Sequence, residues 1–96
     1  MIKSFKNRCA EDIFNGYDTK DARKLPKNLW QNASEKLDMI AVAKCIEDLK
    51  FPPGNRLHPL RGNLLGFWSI SINMKWRIIF RWQEGVAEDV SICDYH

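Results

Sequence analysis

The chain has 96 residues, 45% of them hydrophobic, with four Trp and five Phe, which is the make-up of one folded domain and excludes a disordered or fibrous protein. Folding such a chain is expected to bury roughly 60–65% of its unfolded surface. A net charge of +3, from 15 Lys and Arg against 12 Asp and Glu, is compatible with a polyanionic partner and excludes a histone-like polycation.

Ile2 to Phe5 is short and apolar and is expected to form an edge strand. A first helix is expected from about Cys9 to Asn15, with Glu11 and Asp12 in its early turns, where negative charge suits the helix dipole, and Gly16 placed to end it in a left-handed conformation. Tyr17 to Leu25 is polar and charged and is expected to be a solvated, mobile loop. Pro26 suits the first turn of a second helix, because its missing N–H would be unpaired there. The stripe Leu29, Ala33, Leu37, Ile40 and Ala41, flanked by Trp30, buries one face of that helix. Ala43 to Lys50 either continues it or forms a separate turn, and Phe51-Pro52-Pro53-Gly54-Asn55 ends any helix.

The period then changes to two. Trp68, Ile70 and Ile72 alternate with Phe67, Ser69 and Ser71; after Asn73-Met74-Lys75, Trp76, Ile78, Phe80 and Trp82 alternate with Arg77, Ile79 and Arg81. This is a hairpin. Gln83-Glu84-Gly85 supplies another turn, and Val86 to Tyr95 holds a strand with Val90 and Ile92 on one side and Ser91 and Cys93 on the other. The class is therefore α+β: N-terminal helices on one face of a twisted, mostly antiparallel sheet, with the face that carries Arg77 and Arg81 left open. The four tryptophans are read as core residues rather than base-stacking platforms.

Cys9, Cys45 and Cys93 are odd in number and far apart, and two histidines are the only other soft ligands, so neither a disulfide framework nor a structural zinc site is expected. The N-terminal segment lacks the apolar stretch of a signal peptide, and the longest strongly apolar run is Met39 to Ala43, so a reducing cytoplasm and no membrane contact are expected.

The chemistry-bearing residues are His58, Arg61, Arg77 and the closing Asp94-Tyr95-His96. Cleaving RNA by its own 2′-hydroxyl requires a proton acceptor, a cation for the phosphorane and a proton donor for the leaving oxygen. Imidazole, carboxylate, phenol and guanidinium divide those tasks without a metal, and Arg forks onto phosphate oxygens. Taken singly, each of these residues is better served by a plain role: His58 as a loop or strand histidine held extended by Pro59, His96 as a frayed end, the arginines as solvated charges. Strand parity puts Asp94 and His96 on the side of Val90 and Ile92, and Tyr95 on the side of Ser91 and Cys93. Either the last strand twists or bulges near Asp94, or the site wraps round the sheet's end.

Met1-Ile2-Lys3-Ser4-Phe5, Pro52-Pro53-Gly54-Asn55-Arg56-Leu57, Leu60-Arg61-Gly62, Trp68-Ser69-Ile70, Trp76-Arg77-Ile78, Phe80 and Asp94-Tyr95-His96 together resemble the HigB-type toxins of the RelE/ParE superfamily, across the whole chain. The resemblance implies a compact RelE-like fold, a single toxin domain over residues 1–96, and a ribosome-dependent, metal-independent endoribonuclease that cuts messenger RNA in the 30S decoding site. It implies catalytic roles for His58, Arg77, Asp94, Tyr95 and His96, RNA contacts from Arg56, Arg61, Lys75 and Arg81, and no cofactor. Asp94 or His96 would be the base, with His58 as partner or leaving-group acid, and Tyr95 would stack on the nucleotide. The implied partner is a helix-turn-helix antitoxin of the HigA type, through which alone the complex would meet operator DNA; Tyr17 to Lys24 and the first strand are candidate docking regions. Two other readings are a gyrase poison on the same scaffold and a degenerate toxin that only binds its antitoxin.

Overall fold

The structure, a computed structural model, describes residues 1–94. Helix α1 spans Arg8–Asn15 and α2 spans Trp30–Val42; the strands are β1 (His58–Pro59), β2 (Phe67–Ser71), β3 (Trp76–Gln83) and β4 (Val86–Asp94). The four strands form one antiparallel sheet in the order β1-β2-β3-β4. This is the α+β architecture that the change of period from 3.6 to two predicts.

Local chemistry explains the ends of α1. Asn7 precedes it in an extended conformation, and its Oδ1 accepts from the Ala10 N–H at 3.1 Å, a cap that typically stabilises by about 1 kcal/mol. The same side chain donates from Nδ2 to the Ile92 carbonyl at 3.0 Å and so ties the helix to β4. Gly16, at φ 78°, closes the helix in the left-handed region as expected.

The segment from Tyr17 to Leu25 is not the solvated loop expected from its polarity. Ala22 and Leu25 are fully buried, and a 3-10 turn over Ala22–Lys24 is pinned when the Thr19 hydroxyl donates to Asp12 at 2.6 Å and accepts from the Ala22 N–H at 3.1 Å. Two apolar side chains three residues apart were enough to dock an otherwise charged segment. A 3-10 turn over Lys27–Leu29 follows Pro26, so α2 begins at Trp30, later than the proline suggested. Ala33, Leu37 and Ile40 are its buried stripe, and Ile46–Lys50 is a separate 3-10 turn.

The core joins Cys9, Ala10, Ile13, Ala33, Leu37 and Ile40 of the helices to Ile70, Ile78, Phe80, Ala87, Val90 and Ile92 of the sheet and to Ile72 just after β2. Each fully buried Leu, Ile or Phe contributes roughly 1.5–3 kcal/mol. The four tryptophans pack against this core from its margin and are only partly buried.

A bulge in β4 decides which of its residues reach the core. Ile79 pairs with Ser91 while Arg81 pairs with Glu88, so Asp89 and Val90 together oppose Phe80, and Asp89 sits at φ 51°. Ala87 and Val90, three apart, would otherwise point to opposite faces; with the bulge both are fully buried. The bulge lies at Asp89, five residues before the place near Asp94 that parity marked. Along the outer edge of β4 the N-terminal segment runs parallel, with bridges Ile2↔Ala87 and Phe5↔Val90 in place of a continuous strand. Backbone bonds such as Lys3 N–H to the Ala87 carbonyl (2.7 Å) and Lys6 N–H to the Val90 carbonyl (2.8 Å) satisfy that edge.

Candidate active site on the sheet

His58 pairs with Ser69 across β1–β2, and Ser69 with Ile79 across β2–β3. The parity of Ser69 is shared by Phe67, Ser71, Arg77, Arg81 and Cys93, opposite to the core-facing Trp68, Ile70, Ile78 and Phe80. The sheet thus gathers His58, Ser69 and Arg77 on one face, remote from the helices. Arg77 registers with Ser71 but reaches diagonally, donating from Nη1 to the Ser69 hydroxyl at 2.8 Å. Arg81 lies over the Phe67 ring at 5.0 Å.

This face is less open than its arginines suggested. Phe67, Ser69, Ser71 and Ser91 are buried and Arg77 is half-buried, whereas Arg81 is exposed. Long cationic side chains lying over small or aromatic neighbours account for part of that cover.

His58 is half-buried, and its Nδ1 lies 3.1 Å from the Arg56 carbonyl. A carbonyl can only accept, so the bond requires Nδ1–H and leaves the lone pair of the neutral ring on Nε2. Arg56 itself adopts φ 49° after a 3-10 turn over Pro53–Asn55 and is exposed, as is Arg61, three residues beyond His58. Both cations therefore flank β1 at the rim of the face.

Asp94 pairs with Trp76, on the parity of Ile78 and Ile92, and its carboxylate lies 3.6 Å from the Lys75 ammonium. Lys75 is exposed and also lies 6.0 Å from the Trp76 ring. The register consequently brings His58 and Arg77 together on one face and sets Asp94 at the end of β4 with the other parity, beside Lys75 of the turn that precedes β3. Tyr95 and His96 lie outside the described residues. No cluster of three or more His, Cys, Asp or Glu suited to a metal ion occurs among the described residues. Cys9, Cys45 and Cys93 are free thiols; burial pushes the Cys9 thiol up. Among the described residues, no helix is long and apolar enough to cross a membrane.

Sequence reasoning passed over Ser69 and Asn55. Ser69 was visible as the alternate position between Trp68 and Ile70, but its pairing with Arg77 depends on register. Asn55 looked like turn punctuation, yet it is fully buried and donates from Nδ2 to the carbonyls of Leu49 (3.1 Å) and Phe51 (3.2 Å).

The family model described as the RelE-like toxin of the type II toxin-antitoxin system HigB matches residues 3–96. The chain belongs to the HigB-like toxins. Among curated relatives of this HigB-like chain, "Toxin HigB-1" of Vibrio cholerae is 38% identical over 87 residues, spanning 91% of this chain and 90% of the relative. "Endoribonuclease HigB" of Proteus vulgaris is 33% identical over 96 residues, spanning the whole of both. The HigB-like fold is shared with a chain of the YoeB-YefM complex from Staphylococcus aureus (TM-score 0.63, 21% identity, covering 100% of this chain and 95% of that one). It is shared also with YafQ from E. coli (TM-score 0.60, 14% identity, covering 98% and 91%).

Proposed function

We propose that this HigB-like chain, acting as one domain over residues 1–96, is a ribosome-dependent endoribonuclease that cuts messenger RNA in the 30S decoding site and so stops translation. The observation that carries the proposal is the meeting of His58 and Arg77 on one sheet face, with Ser69 between them. The family membership supports it, as does a full-length relative named as an endoribonuclease.

In the proposed reaction the RNA 2′-hydroxyl loses its proton and attacks the adjacent phosphorus. Negative charge builds on the phosphorane oxygens, and the 5′-oxygen departs with a proton. Arg77, oriented by Ser69, forks onto the phosphorane. His58, with Nδ1–H on the Arg56 carbonyl, acts in its imidazolium form, giving the Nε2 proton to the departing 5′-oxygen and ending as the neutral Nδ1–H ring, while Asp94 or His96 takes the hydroxyl proton. Tyr95 stacks on the nucleotide, and Arg56, Arg61, Lys75 and Arg81 hold the phosphate backbone. These groups divide the work without a metal or cofactor. The partner is a helix-turn-helix antitoxin of the HigA type, which carries the complex to operator DNA, and the pair works in the bacterial cytoplasm.

Induction in bacteria with mapping of new RNA 5′ ends tests the reading. Translation should stop first, with new ends within translated messages. DNA damage with filamentous growth would instead mark a gyrase poison, and unchanged growth a chain that only binds its antitoxin.

A further inference from the structure

One buried cation lies outside the groups that the proposed reaction uses. Lys36, on α2, is only 8% exposed, and its ammonium donates to the Asn55 Oδ1. Desolvation pushes this lysine below its ordinary range, partly countered by Glu35. Burying an ammonium costs free energy that a methionine in the same space would not incur. Its sole hydrogen-bond acceptor among the described residues, Asn55, is 0% exposed and holds the 49–51 backbone through Nδ2 bonds to the Leu49 and Phe51 carbonyls, with Met39 Sδ a third partner at 3.9 Å.

The clamp is continuous with the candidate site. Asn55 ends a turn in which its own N–H donates to the Pro52 carbonyl at 2.9 Å and the Arg56 N–H donates to the Pro53 carbonyl at 3.1 Å. Arg56 then takes the left-handed conformation, at φ 49° and ψ 47°, with its carbonyl 3.1 Å from His58 Nδ1. A free neutral imidazole in water favours the opposite tautomer, with its proton on Nε2, so the Arg56 carbonyl must be held in place to reverse that preference. Partners of this kind orient histidines in metal sites in the same way.

We propose that Lys36 and Asn55 are positioning residues for His58: anchored on α2, they fix the Arg56 carbonyl and hold the imidazole as the Nδ1–H tautomer, with Nε2 the nitrogen that exchanges protons. The catalytic part of this inference rests on the role proposed above for His58, whereas the tautomer part does not.

Nitrogen NMR of the full chain labelled at histidine reads the tautomer directly in the neutral ring, with His58→Gln assigning the signal. The parent should be predominantly Nδ1–H. Lys36→Met should shift the ring toward Nε2–H and lower kcat for cleavage of ribosome-bound message by about tenfold or more with little change in KM, since small misplacements of reacting groups cost on that scale. Lys36→Arg keeps a donor and should restore most of both. Asn55→Asp keeps an acceptor for Lys36 but loses the Nδ2 bonds, and should act in the same direction as Lys36→Met; it serves as the test should Lys36→Met not fold. A folded variant with the parent's tautomer overturns the inference, whatever its cleavage rate. A shifted tautomer with undiminished cleavage upholds the clamp and instead removes His58 from the proposed reaction.

Discussion

Arg77 bonds Ser69 and not its register partner Ser71: the guanidinium crosses two residues back along β2 to donate from Nη1 at 2.8 Å. Ser69 is in turn the residue opposite His58. A fully buried hydroxyl thus stands between the cation and the imidazole. Arg77→Ala is expected to lower cleavage of ribosome-bound message by about 100-fold or more, the usual cost of losing a charge-stabilising donor. Arg77→Lys should recover little of this, because an ammonium lacks the planar fork. Ser69→Ala leaves the charge but not its orientation, and should cost about tenfold. Single-turnover cleavage rates check all three.

His58→Asn offers a sharper test than alanine. The asparagine Nδ2 sits near the place of the imidazole Nδ1 and can still donate to the Arg56 carbonyl, but no basic nitrogen remains at the Nε2 position. Thermal stability should change little while cleavage falls by about 100- to 10,000-fold, the range typical of general acid–base groups. Parent-like cleavage would remove His58 from the mechanism.

The bulge makes a prediction about stability alone. Asp89 sits at φ 51°, where a β-branched residue is strained, and its N–H donates to the Ser4 hydroxyl at 2.9 Å. Asp89→Val should destabilise by about 1–2 kcal/mol, and Asp89→Gly should be neutral or mildly stabilising. Chemical denaturation reads the difference. Deleting Asp89 should be far worse, because it would turn either Ala87 or Val90 away from the core.

Lys36 carries a pH signature of definite sign. Desolvation holds its folded value below 10.5, so between that folded value and 10.5 the unfolded chain binds more protons than the folded one. The contribution of Lys36 to stability therefore rises with pH across that window, and the penalty is fully present below it. Urea denaturation at stepped alkaline pH should show a more positive slope for the parent than for Lys36→Met.

Asp48 gives the opposite case at acid pH. Its carboxylate accepts from the Lys44 N–H at 2.9 Å and the Cys45 N–H at 3.4 Å, and these bonds hold it below its ordinary 3.8. The stability it supplies is complete above 3.8 and is lost as pH falls through the lower folded value. Asp48→Ala should flatten that part of the acid-denaturation curve.

Much of this protein is written locally. Gly16 ending α1, the buried stripe Ala33, Leu37 and Ile40, and the two-residue alternation of β2 and β3 follow from backbone sterics and hydrophobic period, which act over a few neighbouring residues. The same alternation already separated Arg77 and Arg81 from Ile78 and Phe80. Ala22 and Leu25 escaped notice because two apolar residues in a charged stretch carry no period, and their burial depends on a surface made by other segments.

The candidate site divides along the same line. Its residue types, and the resemblance they carry, are properties of the sequence by itself, as is the opposite parity of Asp94 and Cys93. That His58 falls opposite Ser69, that Arg77 reaches Ser69 diagonally, and that Lys36 grips Asn55 nineteen positions away were decided only by the tertiary structure. Register and burial are set by contacts between distant segments, whose free energy exists only once the helices have closed over one face of the sheet.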